Sequence, residues 1–121
     1  MRLRRNQIKE YRGRNREVKK NNEGSSYHEY GDPFAFSADI YPATGKLQAE
    51  IYGERITNIV CGIIEGEYTV TENSDGSFDY VFEGFHIKEG DGIQIRSLKK
   101  PDYKIISIRP YKLLYFEAEK I

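Results

Sequence analysis

The run Gly84-Phe85-His86-Ile87-Lys88-Glu89-Gly90-Asp91-Gly92-Ile93-Gln94-Ile95 decides the fold class, together with Pro101-Asp102-Tyr103-Lys104-Ile105-Ile106-Ser107-Ile108-Arg109-Pro110-Tyr111 and the final segment Leu113 to Ile121. Short β-rich runs alternate here with turn chemistry. Asp91-Gly92 predicts a turn, because glycine tolerates positive φ and aspartate bonds its own backbone. Pro101-Asp102 predicts a second reversal. Ile93 and Ile95 fall on one face with Gln94 and Arg96 on the other, the period of a half-buried strand. Tyr103 to Arg109 carries Ile105, Ile106 and Ile108, whose β-branched side chains suit a pleated surface. Pro110 removes a ladder donor and predicts a bulge or barrel corner before a last strand, Tyr111 to Glu119.

Composition agrees with that reading. Ile, Val, Tyr and Phe number 34 in 121 residues, against 11 Ala, Leu and Met, the best apolar helix formers. The length fits one domain with a single core. One cysteine, Cys61, excludes an intrachain disulfide and suits a reducing compartment. The basic N-terminus lacks an apolar signal region, and no apolar run approaches the ~18 residues of a membrane span. The expectation is a soluble, intracellular product.

A formal net charge of zero hides a division. Residues 1–20 hold nine Lys or Arg against Glu10 and Glu17, a net +7, while the other 101 residues carry a net −7. Residues 1–30 therefore read as a flexible basic arm, with Arg2, Arg4, Arg5, Arg12, Arg14, Arg16, Lys19 and Lys20 as candidate interaction residues. Such an arm binds phosphate through counterion release, docks on an acidic neighbour, or stays solvated. Gly13 to Ser26 has Val18 as its only large apolar residue, too little to offset ordering entropy alone. A brief strand at Gln7 to Arg12, anchored by Ile8 and Tyr11, fits the pattern.

After a loop at Tyr27 to Pro33, Phe34, Phe36, Ala38 and Ile40 alternate as a strand. Pro42-Ala43-Thr44-Gly45 reads as a turn into a second strand with Leu47, Ala49 and Ile51, a hairpin. Arg55 to Ile64 reads as a strand buried on both faces, with Gly62 marking a bulge or the close approach of another backbone. Glu67 to Thr71 and Ser77 to Phe82 are joined by the turn Asn73-Ser74-Asp75-Gly76. Phe78, Tyr80 and Phe82 share a face. The sum is an all-β fold: a small closed or partly open antiparallel β-barrel of about six to seven strands over residues 31–121, carrying the arm. A barrel is preferred because closure hides strand edges.

Catalytic chemistry does not assemble. His28 and His86 are the only histidines, no His-x-x-x-His or Cys-x-x-Cys pair exists, and no metal or cofactor is expected. Cys61 reads as a buried small hydrophobe. The loop Thr71 to Gly76 resembles a calcium loop only through Asn73, Asp75 and Gly76, with Phe82 where a glutamate belongs, so a hairpin turn is the better reading. The ten tyrosines are mostly flanked by acids, unsuited to phosphate; they suit subunit interfaces.

The succession Glu89-Gly90-Asp91-Gly92-Ile93, then Pro101-Asp102-Tyr103-Lys104-Ile105-Ile106-Ser107-Ile108, then Tyr111 and Glu119-Lys120-Ile121 resembles the head-closure, or stopper, proteins of tailed bacteriophages. Upstream, Ala38-Asp39-Ile40-Tyr41-Pro42 to Gly45-Lys46-Leu47-Gln48-Ala49-Glu50-Ile51-Tyr52-Gly53 is similar to that family's strand–turn–strand ending in tyrosine-glycine, so the likeness spans residues 34–121. The resemblance implies the same barrel and a homo-oligomeric ring, often a dodecamer, at the virion neck. It implies assembly in the host cytoplasm, between the portal and adaptor ring above and tail-terminator or tail proteins below. Double-stranded DNA passes through such a ring, and no membrane is involved. The family's channel loop corresponds to Pro42, Ala43, Thr44, Gly45 and Lys46; the acidic hairpin Glu72 to Asp79 is a second candidate. An anionic body suits a wall that duplex DNA must pass without sticking. The rival is a nucleic-acid-binding β-barrel using the arm and the group Lys99, Lys100, Lys104, Arg109 and Lys112.

Overall fold

A computed structural model describes residues 7–20, 24 and 26–121. The strands are β1 (Lys9–Lys20), β2 (Ser26–Pro42), β3 (Ile59–Ile64), β4 (Thr69–Glu72), β5 (Phe78–Phe82), β6 (Phe85–Ile87), β7 (Gly92–Gln94), β8 (Tyr103–Pro110) and β9 (Leu114–Lys120). One helix, α1 (Lys46–Tyr52), and a 3-10 turn (Gly53–Asn58) join β2 to β3. Six strands close an antiparallel barrel in the order β1-β2-β3-β9-β8-β7, with β7 returning to β1; β4, β5 and β6 form a separate three-stranded sheet. The all-β barrel expected from the alternation is the observed architecture.

Two apolar clusters explain why β3 is apolar throughout and why β9 is buried from Leu114 to Ala118. Ile64, Leu114, Phe116 and Ala118 point into the barrel with Phe36, Ile93 and Ile105, whereas Ile59, Cys61, Ile63 and Tyr115 point outward beneath the β2–β3 connection. Both faces are covered, as continuous apolar runs require. Gly62 pairs with Phe116, and a Cβ at Gly62 would run into the Phe116 ring. The glycine makes room for a side chain, with no register break between β3 and β9. An aromatic stack ties the small sheet to the barrel: Phe85 stacks on Phe82 at 4.8 Å and on Phe34 at 5.1 Å, each contact adding about 0.5–1.5 kcal/mol beyond burial.

Several expectations are corrected. The brief strand expected at Gln7 to Arg12 is the start of β1, but β1 runs on to Lys20 as a barrel strand through the range read as an arm, and residues 26–30 open β2 where the end of the arm and, from Tyr27, a loop were expected. Backbone pairing supplies what the sparse apolar side chains of this segment lack: Lys9 to Arg14 pair with Ala38 to Pro33, and Arg12 to Arg14 also pair with β7. After a register shift, Arg16 to Lys20 pair with Tyr30 to Ser26. Arg2, Arg4 and Arg5 lie outside the described residues. The strand expected at Leu47–Ile51 is α1 instead. Pairing of β2 with β3 ends at Pro42–Val60, so this segment lies outside the ladder, and Lys46, Leu47, Gln48, Ala49 and Glu50 are all strong helix formers. Arg55–Asn58 belongs to the 3-10 turn. At the β6–β7 turn the left-handed residue is Gly90 (φ 98°) rather than Gly92, and the irregularity in β8 falls between Ile105 and Ser107 rather than at Pro110.

Candidate functional site

Two features organise the possible working surfaces: the clamp that holds β1 in the barrel, and the connection from β2 to β3. The clamp is Asp91, fully buried. Its carboxyl oxygens accept hydrogen bonds from the backbone N–H of Arg16 (2.8 Å), the backbone N–H of Lys88 (2.9 Å) and Asn15 Nδ2 (2.9 Å). Asn15 Nδ2 also donates to the His86 carbonyl at 2.8 Å. Burial pushes the Asp91 carboxyl above its ordinary range, against the opposing pull of those donors. The Arg16 guanidinium packs over Gly90, where an added Cβ would fall 2.6 Å from its Cζ. Gly90 and Asp91 thus fasten the basic segment to the barrel, while Glu89 accepts from the Ile108 N–H at 3.2 Å.

The cations expected to form the arm therefore divide. Arg14 Nε donates to Gln94 Oε1 at 2.8 Å and its Nη1 to the Gly31 carbonyl at 3.0 Å, so Arg14 braces the barrel wall. Arg12 is exposed, and Lys19 and Lys20 close β1. Register carries Arg14 opposite Gly92, Gly92 opposite Lys104 and Lys104 opposite Glu119, so Arg12, Arg14 and Lys104 share the outer face of β1-β7-β8. The exposed Lys99 and Lys100 sit in the β7–β8 loop. Arg109 turns away toward Glu117 (3.9 Å) and the Tyr115 ring, and Lys112 lies in the β8–β9 turn.

The channel-loop candidate Pro42 to Lys46 opens the β2–β3 connection. Ala43 is buried and its N–H donates to the Ile59 carbonyl (3.1 Å), while Thr44, Gly45 and Lys46 are exposed. Gly45 N–H donates to Gln48 Oε1 (3.1 Å), which starts α1. Gln48 Nε2 lies within hydrogen-bond distance of Cys61 Sγ (2.7 Å), Tyr115 Oη (2.9 Å) and Glu117 Oε2 (3.0 Å). Tyr52 donates to Glu117 Oε1 at 2.8 Å and Tyr115 to Glu117 Oε2 at 2.9 Å. Glu117 is 1% exposed, so this polar cluster seats the connection on the outer face of β3 and β9. Burial, then the Glu117 hydrogen bond, pushes the Tyr52 hydroxyl up to about 12. Tyr115 rises further for the same first reason. Burial likewise pushes the Cys61 thiol up, opposed by its contacts with Tyr115 and Gln48, which leaves it a weak nucleophile. Sequence reasoning found Cys61 but not its polar partners; Glu117 and Gln48 carry no local signal of burial.

In the acidic hairpin, Asn73 N–H donates to the Ser77 carbonyl and Gly76 takes φ 87°. Asp75 accepts from Ser77 N (3.0 Å) and Ser77 Oγ (2.6 Å), which hold its carboxyl below the usual range. Both bonds fall on Oδ1 and close the hairpin turn. Among the described residues, no group of three or more His, Cys, Asp or Glu is placed to hold a metal ion. No described helix is long and apolar enough to cross a membrane. No family model, curated protein or solved structure matches the chain.

Proposed function

We propose that the chain is a structural protein of the head–tail connector of a tailed bacteriophage, a stopper that closes the portal channel after DNA packaging and joins head to tail. The observation that supports this is the closed antiparallel barrel, in which the C-terminal motifs carrying the resemblance form β7 to β9 and their turns, held by Asp91 and by Asp102; the upstream motif Ala38 to Gly53, similar to a strand–turn–strand in that family, is here the end of β2, a turn and α1. Asp102 accepts from the N–H groups of Ile95 (2.8 Å) and Arg96 (3.0 Å). In this reading the protein acts by shape, without a reaction or cofactor, as a ring (a dodecamer by resemblance) at the virion neck. Its partners are the portal and adaptor ring on one side and tail proteins on the other, with duplex DNA passing through. Pro42, Thr44, Gly45 and Lys46 are the exposed part of the candidate channel segment. The test is labelling of the chain in assembled particles, with imaging of particles that lack it. A label at the neck, and full heads that leak DNA and stay tailless without the protein, are expected; a label elsewhere, or none in particles, sinks the reading.

A second reading, a nucleic-acid-binding barrel, draws support from the shared outer face of Arg12, Arg14 and Lys104 beside the Lys99–Lys100 loop. It requires duplex or single-strand affinity that falls steeply with salt, with a log–log slope of about 0.9 per phosphate contacted on duplex DNA. Weak binding without that slope removes it.

A further inference from the structure

The helix α1 lies on the barrel with its polar side inward. Leu47 and Ile51, one turn apart, are 62% and 53% exposed, whereas Gln48 and Tyr52, one turn apart on the neighbouring row, reach Glu117. A helix seated on a sheet usually buries its apolar row instead. Neither α1 nor the 3-10 turn after it contains a buried residue. Seven residues are too few for a helix to hold itself together in water, so the side chains of Gln48 and Tyr52 keep α1 down. Their bonds are worth little in net terms, because an open form trades them for bonds to water. What lies beneath is interior: Cys61, Tyr115 and Glu117 are all buried, and Gln48 Nε2 sits 2.7 Å from the Cys61 sulfur. On either side of α1 the chain is tied down. Before it, the Ala43 N–H donates to the Ile59 carbonyl; after it, Arg55 pairs with Glu119 and Ile56 packs on the cluster of Ile59, Cys61 and Ile63. A glycine stands at each end of the helix. Gly53 takes φ 58° and ψ −128°, a conformation that suits glycine alone, with nothing within 4 Å of where a Cβ would be.

We propose that α1 is a lid that opens as a unit between Gly45 and Gly53 while the barrel stays closed, uncovering Cys61, Tyr115 and Glu117. Opening breaks no barrel ladder, because the pairing of β2 with β3 ends at Pro42–Val60, before the lid begins. Leu47 and Ile51 lose no burial when the helix leaves. The cost is the Gln48 and Tyr52 bonds, the packing of Tyr52 and the apolar surface bared on β3 and β9, which together keep the open form a minority. That cost is smaller than the cost of unfolding the barrel, so the lid is a separate, less stable unit. Cys61 is the only cysteine in the chain, so its reactivity reports the open form directly. The lid is a property of the isolated chain and does not depend on a place in a virion.

The experiment is the rate at which the purified full chain reacts with dithiodipyridine, a neutral aromatic disulfide, at a series of urea concentrations below the unfolding transition. The Cys61 thiolate displaces thiopyridone, which is read by absorbance, and forms a mixed disulfide. A lid makes the rate nearly independent of urea at low concentration, with a steep rise only where global unfolding takes over. Gln48→Ala combined with Tyr52→Phe should speed the reaction without urea on the order of 10- to 100-fold. Gly53→Ala, which strains the closed form without touching a neighbour, should speed it about 5- to 30-fold. Asp91→Ala weakens the barrel at its other end and should leave the rate without urea unchanged. Circular dichroism checks that each variant folds. A rate that climbs steeply from the first additions of urea, together with an acceleration of about a hundredfold in Asp91→Ala, overturns the proposal, because Cys61 is then reached only by unfolding the barrel. Lid variants that react like the unaltered chain overturn it as well. Neck position is read from particles and the lid from the purified chain, so either reading can fail alone.

Discussion

Asp91→Ala removes the acceptor for three donors at once. Asn15 Nδ2 keeps its bond to the His86 carbonyl, but the backbone N–H groups of Arg16 and Lys88 lose the side chain that accepts from them. An orphaned buried donor costs about 1–3 kcal/mol, and the cost of burying the Asp91 carboxyl is recovered in part. The expected loss is about 3 kcal/mol, a large fraction of the roughly 5–15 kcal/mol that holds a domain of this kind folded. Urea unfolding followed by circular dichroism measures it. Hydrogen exchange localises it, since the amides of Arg16 and Lys88 should lose protection before the β3–β9 ladder does. A loss under about 1 kcal/mol, or uniform loss of protection, refutes the idea that this carboxyl fastens β1. The same group predicts a pH effect. Its folded pKa is raised above the unfolded value of about 3.9. Its linkage contribution is therefore fully present below that value and is lost as pH rises through the folded pKa. On its account alone, stability increases as pH falls from neutrality. Asp91→Asn removes that dependence, so the stability difference between wild type and Asp91→Asn should shift in favour of wild type on acidification. A difference constant with pH sinks this part.

Three further expectations follow from particular contacts. Gly62→Ala drives a Cβ into the Phe116 ring and should cost about 1–3 kcal/mol in urea unfolding, with a smaller loss when Phe116→Leu is added; simple additivity counts against the fit. Gly90→Ala and Gly76→Ala both place a side chain at positive φ, a cost of about 1–2 kcal/mol, but only the former meets a neighbour, the Arg16 guanidinium; Gly90→Ala should be the worse of the two, and equal losses argue against that packing. Cys61, buried and with its thiol pushed up by that burial, should react with a thiol reagent at mildly alkaline pH at least about a hundredfold more slowly in the folded chain than in denaturant; equal rates contradict the buried site.

The barrel was legible because its strands carry their burial in their own composition. Ile105 and Ile108 on β8, and the two-sided run at Ile59–Ile64, read as strands without any partner in view. Side-chain periodicity misled at Leu47, Ala49 and Ile51, where alternation competes with helix propensity and only the end of the β2–β3 ladder decides between them. It found only the start of β1, at Gln7 to Arg12, and failed beyond Arg12, where pairing with β2 and β7 orders a segment whose side chains are mostly charged. Asp91 and Glu117 illustrate the limit for the site. An acid in a turn and an acid near a terminus look solvated in one dimension, and only donors brought from far along the chain, Asn15 for the first and Gln48 and Tyr52 for the second, make them interior groups.

That same long-range architecture bears on the channel-loop candidate. A strand pair with apolar side chains on both faces needs a cover on its outer side, and the chain uses the β2–β3 connection for it: Tyr52 and Ile56 pack against Ile59, Cys61 and Ile63. Pro42 to Lys46 is therefore anchored at one end by Ala43 on Ile59 and at the other by Gln48 in the Glu117 cluster. A segment tied on both sides within a few residues does not swing like a long hairpin. If it meets DNA in a channel, it does so with Thr44 and Lys46 at the rim, or after Gln48 and Tyr52 release Glu117 and α1 lifts as a unit. The second route breaks the Gln48 and Tyr52 hydrogen bonds to Glu117 and uncovers the apolar cluster of Ile59, Cys61, Ile63 and Tyr115, a cost that rehydration of the carboxyl offsets only in part and that a compensating contact from a neighbouring subunit or ring would have to meet. The candidate loop and the polar cluster beneath it are thus one device in energetic terms, and a change in either is felt in the other.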